Sequence, residues 1–241
     1  MAREHWDRQA SNWAAWARRP GFDAYWQYSP AFFEQLVPPP GLRTLEVGCG
    51  EGRVARDLVQ RGHRVVGVDV TRSLLRLAHD ADPNSAYAIC DAAALPFGDE
   101  SFDLVVFYNS LMDIDDMERA VHEAARVLTA GGKMCACVTH PIADAGRFES
   151  REGDASFVIG DTYLGPRRWL QIGIERDGLA MDFSGWAYPL EAYFATLERA
   201  GFLVEAIREP RVDEATVEHD PGEERWRRIP LFLMWRAVKS A

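Results

Sequence analysis

A glycine-rich turn between an apolar run and a helix-forming run is the part of this sequence best suited to chemistry. Gly48, Gly50 and Gly52 alternate in it, directly after the apolar residues that end at Val47. Glycine lacks a Cβ atom and tolerates positive φ, so such a turn lets the backbone approach a ligand closely. Asp69 closes the next apolar run, about 20 residues further on, where a carboxylate commonly binds ribose hydroxyls. The pattern indicates a site for a nucleotide-type cofactor.

The spacing of the glycines argues against a nicotinamide dinucleotide. That fingerprint is G-x-G-x-x-G, and counting from Gly48 puts Arg53 where the third glycine should stand. We also find no Tyr-x-x-x-Lys or similar dyad for an oxidoreductase. Glu46, just before the turn, suits a ligand with an ammonium and a sulfonium group better than it suits a pyrophosphate.

Four further segments follow the turn in order, at residues 65–69, 90–97, 101–106 and 123–133. The first ends in an acid that closes the second strand, and the second has an acid before a Leu-Pro-Phe loop. The third is an apolar fourth strand, and the fourth is a helix followed by Gly131-Gly132. With the glycine turn, these segments resemble the class I S-adenosylmethionine-dependent methyltransferases of the small-molecule type. The resemblance is close over residues 42–140 and holds in outline near the end of the chain. Five ordered segments are much more specific than any one of them.

The resemblance implies an α/β fold, with a doubly wound, seven-stranded, mostly parallel sheet, helices on both faces and an antiparallel last strand. It also implies the strand order 3-2-1-4-5-7-6. The alternation of strand and helix signals independently predicts a parallel sheet wrapped on both faces. Strands are predicted at residues 42–47, 64–69, 86–90, 102–108, 133–139, 202–209 and 230–238. Helices are predicted at residues 52–61, 71–79, 115–128 and 189–200.

Two segments outside this core are expected to contact the substrate. Residues 1–40 are rich in aromatic side chains and are predicted to form a helical lid, ahead of a methyltransferase domain at 41–241. An insertion at about 140–188 is expected to form a helical or irregular substrate cap, since a long connection this rich in aromatic residues is unlike a disordered linker. Ligands of open α/β sheets bind outside the carboxyl ends of the strands, where both segments can meet.

The resemblance also implies which residues contact the cofactor, S-adenosylmethionine, and its product S-adenosylhomocysteine. Glu46 and the glycine backbone would face the methionine part, and Asp69 would accept from both ribose hydroxyls. Asp91 would accept from the adenine amino group. The complete predicted set is Glu46, Gly48, Cys49, Gly50, Gly52, Asp69, Val70, Asp91, Ala92 and Asn109. The structural alternatives are a strand-end turn for Asp69 and a helix cap for Asp91.

His140, at the end of the fifth predicted strand, is the candidate catalytic base. A hydroxyl nucleophile loses a proton when it is methylated, and a neutral histidine accepts one near pH 7. The alternative is a histidine that caps the strand end and bonds to the backbone, because Pro141 already favours a turn there. Related enzymes carry a histidine after the fourth strand, whereas this chain has residues 110–116 without one.

The acceptor pocket is predicted to include the aromatic side chains of Tyr108, Trp186 and Tyr188. Aromatic faces bind apolar rings and attract cations, although core packing explains any one of these residues as well. Asp113 can orient a cationic amine, or it can enrich a helix N-terminus together with its acidic neighbours.

Composition limits the partners and the compartment. The formal net charge is −10, and lysine and arginine form no stripe, so no nucleic-acid acceptor is expected. No apolar run approaches the length of a membrane span and the start lacks a signal segment, so a cytoplasmic protein without membrane contact is expected. The four cysteines show no metal-ligand spacing and are predicted to be buried thiols, with no metal.

These observations predict an enzyme that methylates oxygen or nitrogen of a small aromatic or apolar metabolite, as a monomer or homodimer. The alternative is a non-catalytic relative that binds the cofactor in a regulatory role.

Overall fold

A computed structural model describes residues 2–160 and 162–240 of the chain. Within these described ranges, eleven strands form one large sheet and two small ribbons. The strands are β1 (Arg43–Val47), β2 (Arg64–Asp69), β3 (Ala86–Ile89), β4 (Phe102–Tyr108), β5 (Leu128–Thr139), β6 (Gly146–Phe148), β7 (Phe157–Ile159), β8 (Arg167–Arg176), β9 (Leu179–Ala187), β10 (Phe202–Arg208) and β11 (Phe232–Lys239).

The large sheet has the strand order β10-β11-β5-β4-β1-β2-β3. Its strands β1 to β5 are parallel, and β11 runs antiparallel to both β5 and β10. Without the four ribbon strands, this order is 3-2-1-4-5-7-6, which confirms the predicted fold class.

Helices cover both faces of the sheet and its carboxyl edge. They are α1 (Ala2–Ala17), α2 (Tyr25–Gln35), α3 (Arg53–Gln60), α4 (Arg72–Ala81), α5 (Met117–Val127), α6 (Pro141–Asp144), α7 (Leu190–Arg199) and α8 (Glu214–His219), with 3-10 turns at Leu111–Asp113 and Pro221–Arg227. Among the described residues, none of these helices combines the length and apolar character that crossing a bilayer requires.

The central strand β4 is apolar on both sides because a core lies on each face of the sheet. On one face, Phe107 packs in a cluster with Val121 of α5 and Tyr193 of α7. On the other face, Val106 packs in a cluster with Phe32 of α2 and Leu58 of α3. The alternation of side chains along a strand sends neighbouring residues of β4 into different cores.

The predicted lid divides into two parts with different surroundings. Helix α2 belongs to the second core, where Tyr28 and Phe32 are fully buried. Helix α1 contacts α4 and β9 near the carboxyl ends of the strands. Helix α1, the linker after it and Tyr25 at the start of α2 are therefore the parts of the predicted lid that are placed to cover a ligand.

The insertion consists mainly of two antiparallel ribbons, β6–β7 and β8–β9, where the sequence predicted a helical or irregular cap. The longer ribbon turns at Asp177-Gly178, and both residues have positive φ, 48° and 78°. An Asp-Gly pair between strands is the signal of a two-residue hairpin turn, because both central positions need the left-handed region. That dipeptide could have predicted the ribbon.

The connection from α5 to β5 also differs from the prediction. Asp116 accepts from the Arg119 N–H group at 3.0 Å and caps α5, which ends at Val127. Strand β5 begins at once, at Leu128, and its pairing with β4 skips the glycine pair: Phe102 pairs with Leu128 and Leu104 with Lys133. The two glycines therefore form an irregularity within a strand, where Gly131 has a φ of 73°.

We expect Leu104→Ala to lower the free energy of unfolding by about 2–5 kcal/mol, because it opens a cavity in a fully buried central strand. Leu203→Ala is the matched control: Leu203 lies in β10 with 63% of its surface exposed, so the change should stay within about 0.5 kcal/mol. Guanidinium denaturation of both variants measures the difference, and equal losses would contradict the placement of β4 at the centre.

Candidate functional site

A cavity of about 640 Å³ opens at the carboxyl ends of β1, β2 and β4. Its walls are the glycine turn, the segments that follow β2, β3 and β4, helix α1 with its linker, and one end of the β8–β9 ribbon. The cavity therefore lies where open α/β sheets bind ligands, between the sheet and the two segments that cover it.

Two backbone hydrogen bonds hold the glycine turn against β2. The N–H groups of Gly48 and Cys49 both donate to the Val68 carbonyl, at 2.8 and 2.9 Å. Gly48 has a φ of 72°, and a Cβ atom there would lie 2.4 Å from Cβ of Ser110. Only glycine fits between the turn and the segment after β4, so the sequence places the turn by both its conformation and its size.

Asp69 joins the glycine turn to the end of β2. One carboxylate oxygen accepts from the Gly50 N–H group at 2.9 Å and the other from the Thr71 N–H group at 2.8 Å. Burial raises the pKa of Asp69, and these two backbone bonds oppose that rise. Each oxygen keeps a lone pair for a further donor, and Asp69 lines the cavity.

Glu46 presents an unsatisfied carboxyl oxygen at the cavity wall. The residue is 2% exposed, and its Oε2 atom has no hydrogen-bond partner. Burial raises the pKa of Glu46 well above its ordinary value, and the charges of Asp69 and Glu51 add to the effect. Buried polar atoms are rarely left unpaired, so this oxygen indicates a ligand that brings a donor, such as an ammonium group.

Asn109 and Asp91 occupy two further edges of the cavity. Asn109 has a φ of 50°, donates its N–H to the Cys137 carbonyl at 2.8 Å, and has a buried side-chain oxygen without a partner. A non-glycine residue in the left-handed region is uncommon and often marks a functional site. Asp91 accepts from the Ala93 N–H group at 2.9 Å, and Val70, Cys49 and Ala92 also line the cavity.

The structure corrects the prediction for Gly52, which does not line the cavity. Gly52 is the residue before α3, with a φ of 83°, and a Cβ atom there would lie 2.6 Å from the Tyr87 hydroxyl on β3. The position that a side chain would take at Gly52 faces Tyr87 of β3, because the chain turns away from the cavity as α3 begins.

Arg53 ties the linker after α1 to the cofactor turn, a role that the sequence did not reveal. Its guanidinium forms two bonds with Asp23, at 2.8 and 3.1 Å, donates to the Ala17 carbonyl at 2.7 Å, and lies 3.8 Å from the ring centre of Tyr25. Burial raises the pKa of Asp23, and Arg53 opposes that shift. The partners are 30 residues apart in the chain, so no local spacing could have indicated the pair.

Glu51 forms a second buried link of the same kind. It is 1% exposed and pairs with Arg18 of the lid segment at 2.7 Å and with Arg56 of α3 at 2.8 Å. Removing one partner of such a pair leaves a buried charge uncompensated, which is costly. Two arginine–carboxylate links therefore hold α1 and its linker over the cavity.

Aromatic rings form much of the rest of the cavity wall. Tyr108, which is predicted for the acceptor pocket, lines the cavity, and its ring also packs edge-to-face against Tyr25. The remaining aromatic lining comes from α1, the start of α2, the ribbon and β11, with Trp6, Trp13, Tyr25, Trp169, Phe183 and Phe232. The sequence identified these aromatic segments but not which rings face the ligand, because that depends on the pairing of β8 with β9.

Trp186 and Tyr188 do not line the cavity, which corrects their predicted role. The indole N–H of Trp186 donates to Asp115 at 3.1 Å, and its ring stacks on Tyr188 at 6.2 Å between ring centres. Tyr188 in turn packs against Tyr193 in the first core. Their side chains support the base of the ribbon.

His140 is also absent from the cavity wall, which corrects its assignment as the base. It is 1% exposed, and both ring nitrogens are engaged: Nδ1 accepts from the Ile142 N–H group at 3.1 Å, and Nε2 lies 3.0 Å from Glu209. These contacts fix the neutral ring with its proton on Nε2. Burial lowers the pKa of His140 although Glu209 raises it, so the residue serves as the cap of α6.

Residues 45–136 match the family model described as a methyltransferase domain. The methyltransferase GfsG of Streptomyces halstedii is 33% identical over 109 residues, which cover 42% of this chain and 39% of GfsG. A demethylmenaquinone methyltransferase of Renibacterium salmoninarum is 33% identical over 103 residues, or 42% of this chain and 44% of that protein. The chain thus matches less than half the length of these curated relatives.

Solved structures resemble nearly the whole chain. An S-adenosylmethionine-dependent methyltransferase from Mesorhizobium loti aligns with a TM-score of 0.74 and 25% sequence identity. The alignment covers 90% of this chain and 98% of that one.

We expect His140→Asn to leave cofactor affinity unchanged, because asparagine can still cap α6 and the residue lies outside the cavity. His140→Ala removes the cap and should cost about 0.5–2 kcal/mol of stability, again without loss of affinity. Calorimetric titration and denaturation separate the two effects. A large loss of affinity in His140→Asn would contradict the capping role.

The His140→Asn variant also tests the protonation state of His140. Folding disfavours the imidazolium of His140, because burial holds its pKa below the ordinary value of 6.5. The contribution to stability is complete above pH 6.5 and is lost as the pH falls toward the folded pKa. Wild-type stability, measured between pH 7 and 5, should therefore fall more steeply than that of His140→Asn. Parallel curves would contradict a neutral buried ring.

Arg53→Gln should release the lid segment, because it breaks the link to Asp23 and Ala17. We expect trypsin to cut after Arg18 several times faster than in the wild type, as followed by mass spectrometry; Arg19 precedes Pro20, where trypsin does not cut. Arg43→Gln is the matched control, since it breaks the exposed pair with Asp103 away from the lid. Equal cleavage in both variants would show that Arg53 does not hold this segment.

Proposed function

The chain belongs to the class I S-adenosylmethionine-dependent methyltransferases, and from that premise we propose that it transfers a methyl group to oxygen or nitrogen of a small aromatic or otherwise apolar metabolite. The cofactor of this family, S-adenosylmethionine, supplies a methyl group made electrophilic by its sulfonium. The residues of this chain then have to bind, orient and shield the reactants.

The unpaired oxygen of Glu46 carries the proposal. A buried carboxylate beside the glycine turn suits the ammonium of a methionine group, which would supply the donor that Oε2 lacks. Asp69 would accept ribose hydroxyls with the lone pairs left by Gly50 and Thr71. Asp91 would accept from the adenine amino group, and Val70 and Ala92 would contact the adenosine part.

The charge of the cavity supports a cationic cofactor. Its lining has eight carboxyl side chains and two arginines, counted over the described residues. Four of the carboxyl groups pair with arginine or cap a helix, as Asp23 does with Arg53 and Asp116 does at α5. The negative potential that remains favours a ligand with a sulfonium and an ammonium group over a dinucleotide pyrophosphate.

The walls of the cavity support a mechanism based on positioning. A methyl transfer is an in-line displacement, and orienting the reactants can contribute about 7–11 kcal/mol. The rings of Trp13, Trp169 and Phe183 can hold an apolar acceptor and exclude water, while the lid links at Arg53 and Glu51 keep α1 in place. Such walls suit a small acceptor; the Renibacterium relative is named for demethylmenaquinone.

The second candidate is a relative that binds the cofactor without turnover. It is favoured by one observation: no histidine lines the cavity in the described part of the chain. Release of S-adenosylhomocysteine decides between the two functions, because only an enzyme produces it when an acceptor is supplied.

The first experiment is calorimetric titration with S-adenosylmethionine, S-adenosylhomocysteine and NAD in parallel. We expect both adenosyl ligands to bind and NAD to give no heat. Binding of NAD alone would contradict the cofactor assignment and the function built on it.

We expect Asp69→Ala and Glu46→Gln each to weaken S-adenosylhomocysteine binding at least about tenfold, because each removes a charged hydrogen-bond acceptor. Glu46→Gln should fold as well as the wild type, since it replaces a buried carboxyl with an amide of the same size. Asp80→Ala is the control, because Asp80 is exposed on α4. Unchanged affinity in Glu46→Gln would remove the ammonium assignment.

A further inference from the structure

Asp113 lines the cavity at the end of the 3-10 turn that follows β4. Its N–H group donates to the Ser110 carbonyl at 2.9 Å, which fixes the backbone of this turn. Gly185 of β9 leaves room for the side chain: a Cβ atom there would lie 3.0 Å from Oδ1 of Asp113 and 3.2 Å from Cζ2 of Trp169. The carboxyl group thus sits beside the indole ring of Trp169.

Most carboxyl groups of the cavity accept hydrogen bonds, as Asp69, Asp91 and Glu51 do, whereas no group of the described residues donates one to the side chain of Asp113. Arg168 is near enough to favour its charged form, but Arg168 is bonded to Asp115 at 2.9 Å. Burial, with the charge of Asp69, raises the pKa of Asp113 well above its ordinary value. A carboxyl group that lines a ligand cavity without a protein donor keeps its oxygens free to accept from a ligand.

A second unsatisfied group lies on the same wall. The indole N–H of Trp169 is buried and has no partner. The rings of Trp13 and Phe183 line the same part of the cavity, 6.3 Å apart between centres. This wall therefore combines aromatic faces with one carboxyl group, and carboxyl groups outnumber arginines among the described residues that line the cavity. This balance of charge disfavours an anionic acceptor.

We propose that Asp113 selects the methyl acceptor and that the acceptor is a small basic amine that carries an aromatic ring. Its ring would lie against Trp169 and Phe183, and its nitrogen would donate to the Asp113 carboxylate. The proton of a bound ammonium passes from nitrogen to a carboxylate oxygen of Asp113, and no other bond changes in that step. The nitrogen lone pair is then free. This inference rests on the proposed function and narrows its acceptor to a basic amine.

The test is acceptor binding in the presence of S-adenosylhomocysteine, measured by calorimetry. The probes are two matched pairs, 2-phenylethylamine with 2-phenylethanol and tryptamine with tryptophol, and phenylacetate as an anion. We expect at least one amine to bind about tenfold or more tightly than its alcohol, and phenylacetate to bind most weakly. Asp113→Asn should reduce the amine preference to within about twofold while leaving S-adenosylhomocysteine affinity unchanged.

Asp116→Asn is the matched control, because it removes one carboxylate three positions away and asparagine can still cap α5. It should retain the amine preference. If neither amine binds more tightly than its alcohol in the wild type, or if the preference survives in Asp113→Asn, the proposal is overturned. Titration of S-adenosylhomocysteine comes first: its failure would contradict the proposed function, and the probe pairs would still decide the amine preference on the cofactor-free protein.

Discussion

The site depends on the carboxylate of Asp69, which accepts one hydrogen bond from the glycine turn and one from the start of α4. These bonds fix the loop after β1 against the loop after β2, so the carboxyl ends of the two strands form the floor of a cavity. The same carboxylate keeps lone pairs for a ligand. Burial raises the pKa of Asp69, and it raises the pKa of the neighbouring Glu46 well above its ordinary value. The Asp69 carboxylate therefore both holds the two loops together and remains able to accept hydrogen bonds from a ligand.

The cover of the cavity is held differently, by charges buried between distant segments. Glu51 lies on the cofactor turn and Arg53 at the start of α3, yet their partners Arg18 and Asp23 belong to the N-terminal segment. Such links favour one closed arrangement, because a single unpaired member would remain as a buried charge. The aromatic rings of α1 and the ribbon are thereby kept in the wall of the cavity, which Asp113 also lines.

Most of the sheet could be predicted, because each strand and each turn leaves a local pattern. The strand order that the resemblance implied is the order that the structure has, and a glycine turn joins β1 to α3 where the sequence predicts one. Errors occurred where local patterns have two meanings. His140 follows a strand at the ligand edge, but its ring turns back to cap α6. Gly52 belongs to the glycine turn, but it faces Tyr87 instead of the cavity.

The sequence by itself determined the fold class, the family and the cofactor turn, since these depend on alternation, on positive φ and on residues close together in the chain. The tertiary structure alone decided which aromatic rings line the cavity, that Arg53 and Glu51 hold the lid, and that no group of the described residues donates to the side chain of Asp113. Those features depend on contacts between residues 30 to 173 positions apart, which are set by how the ribbon and α1 pack on the sheet and not by any local pattern.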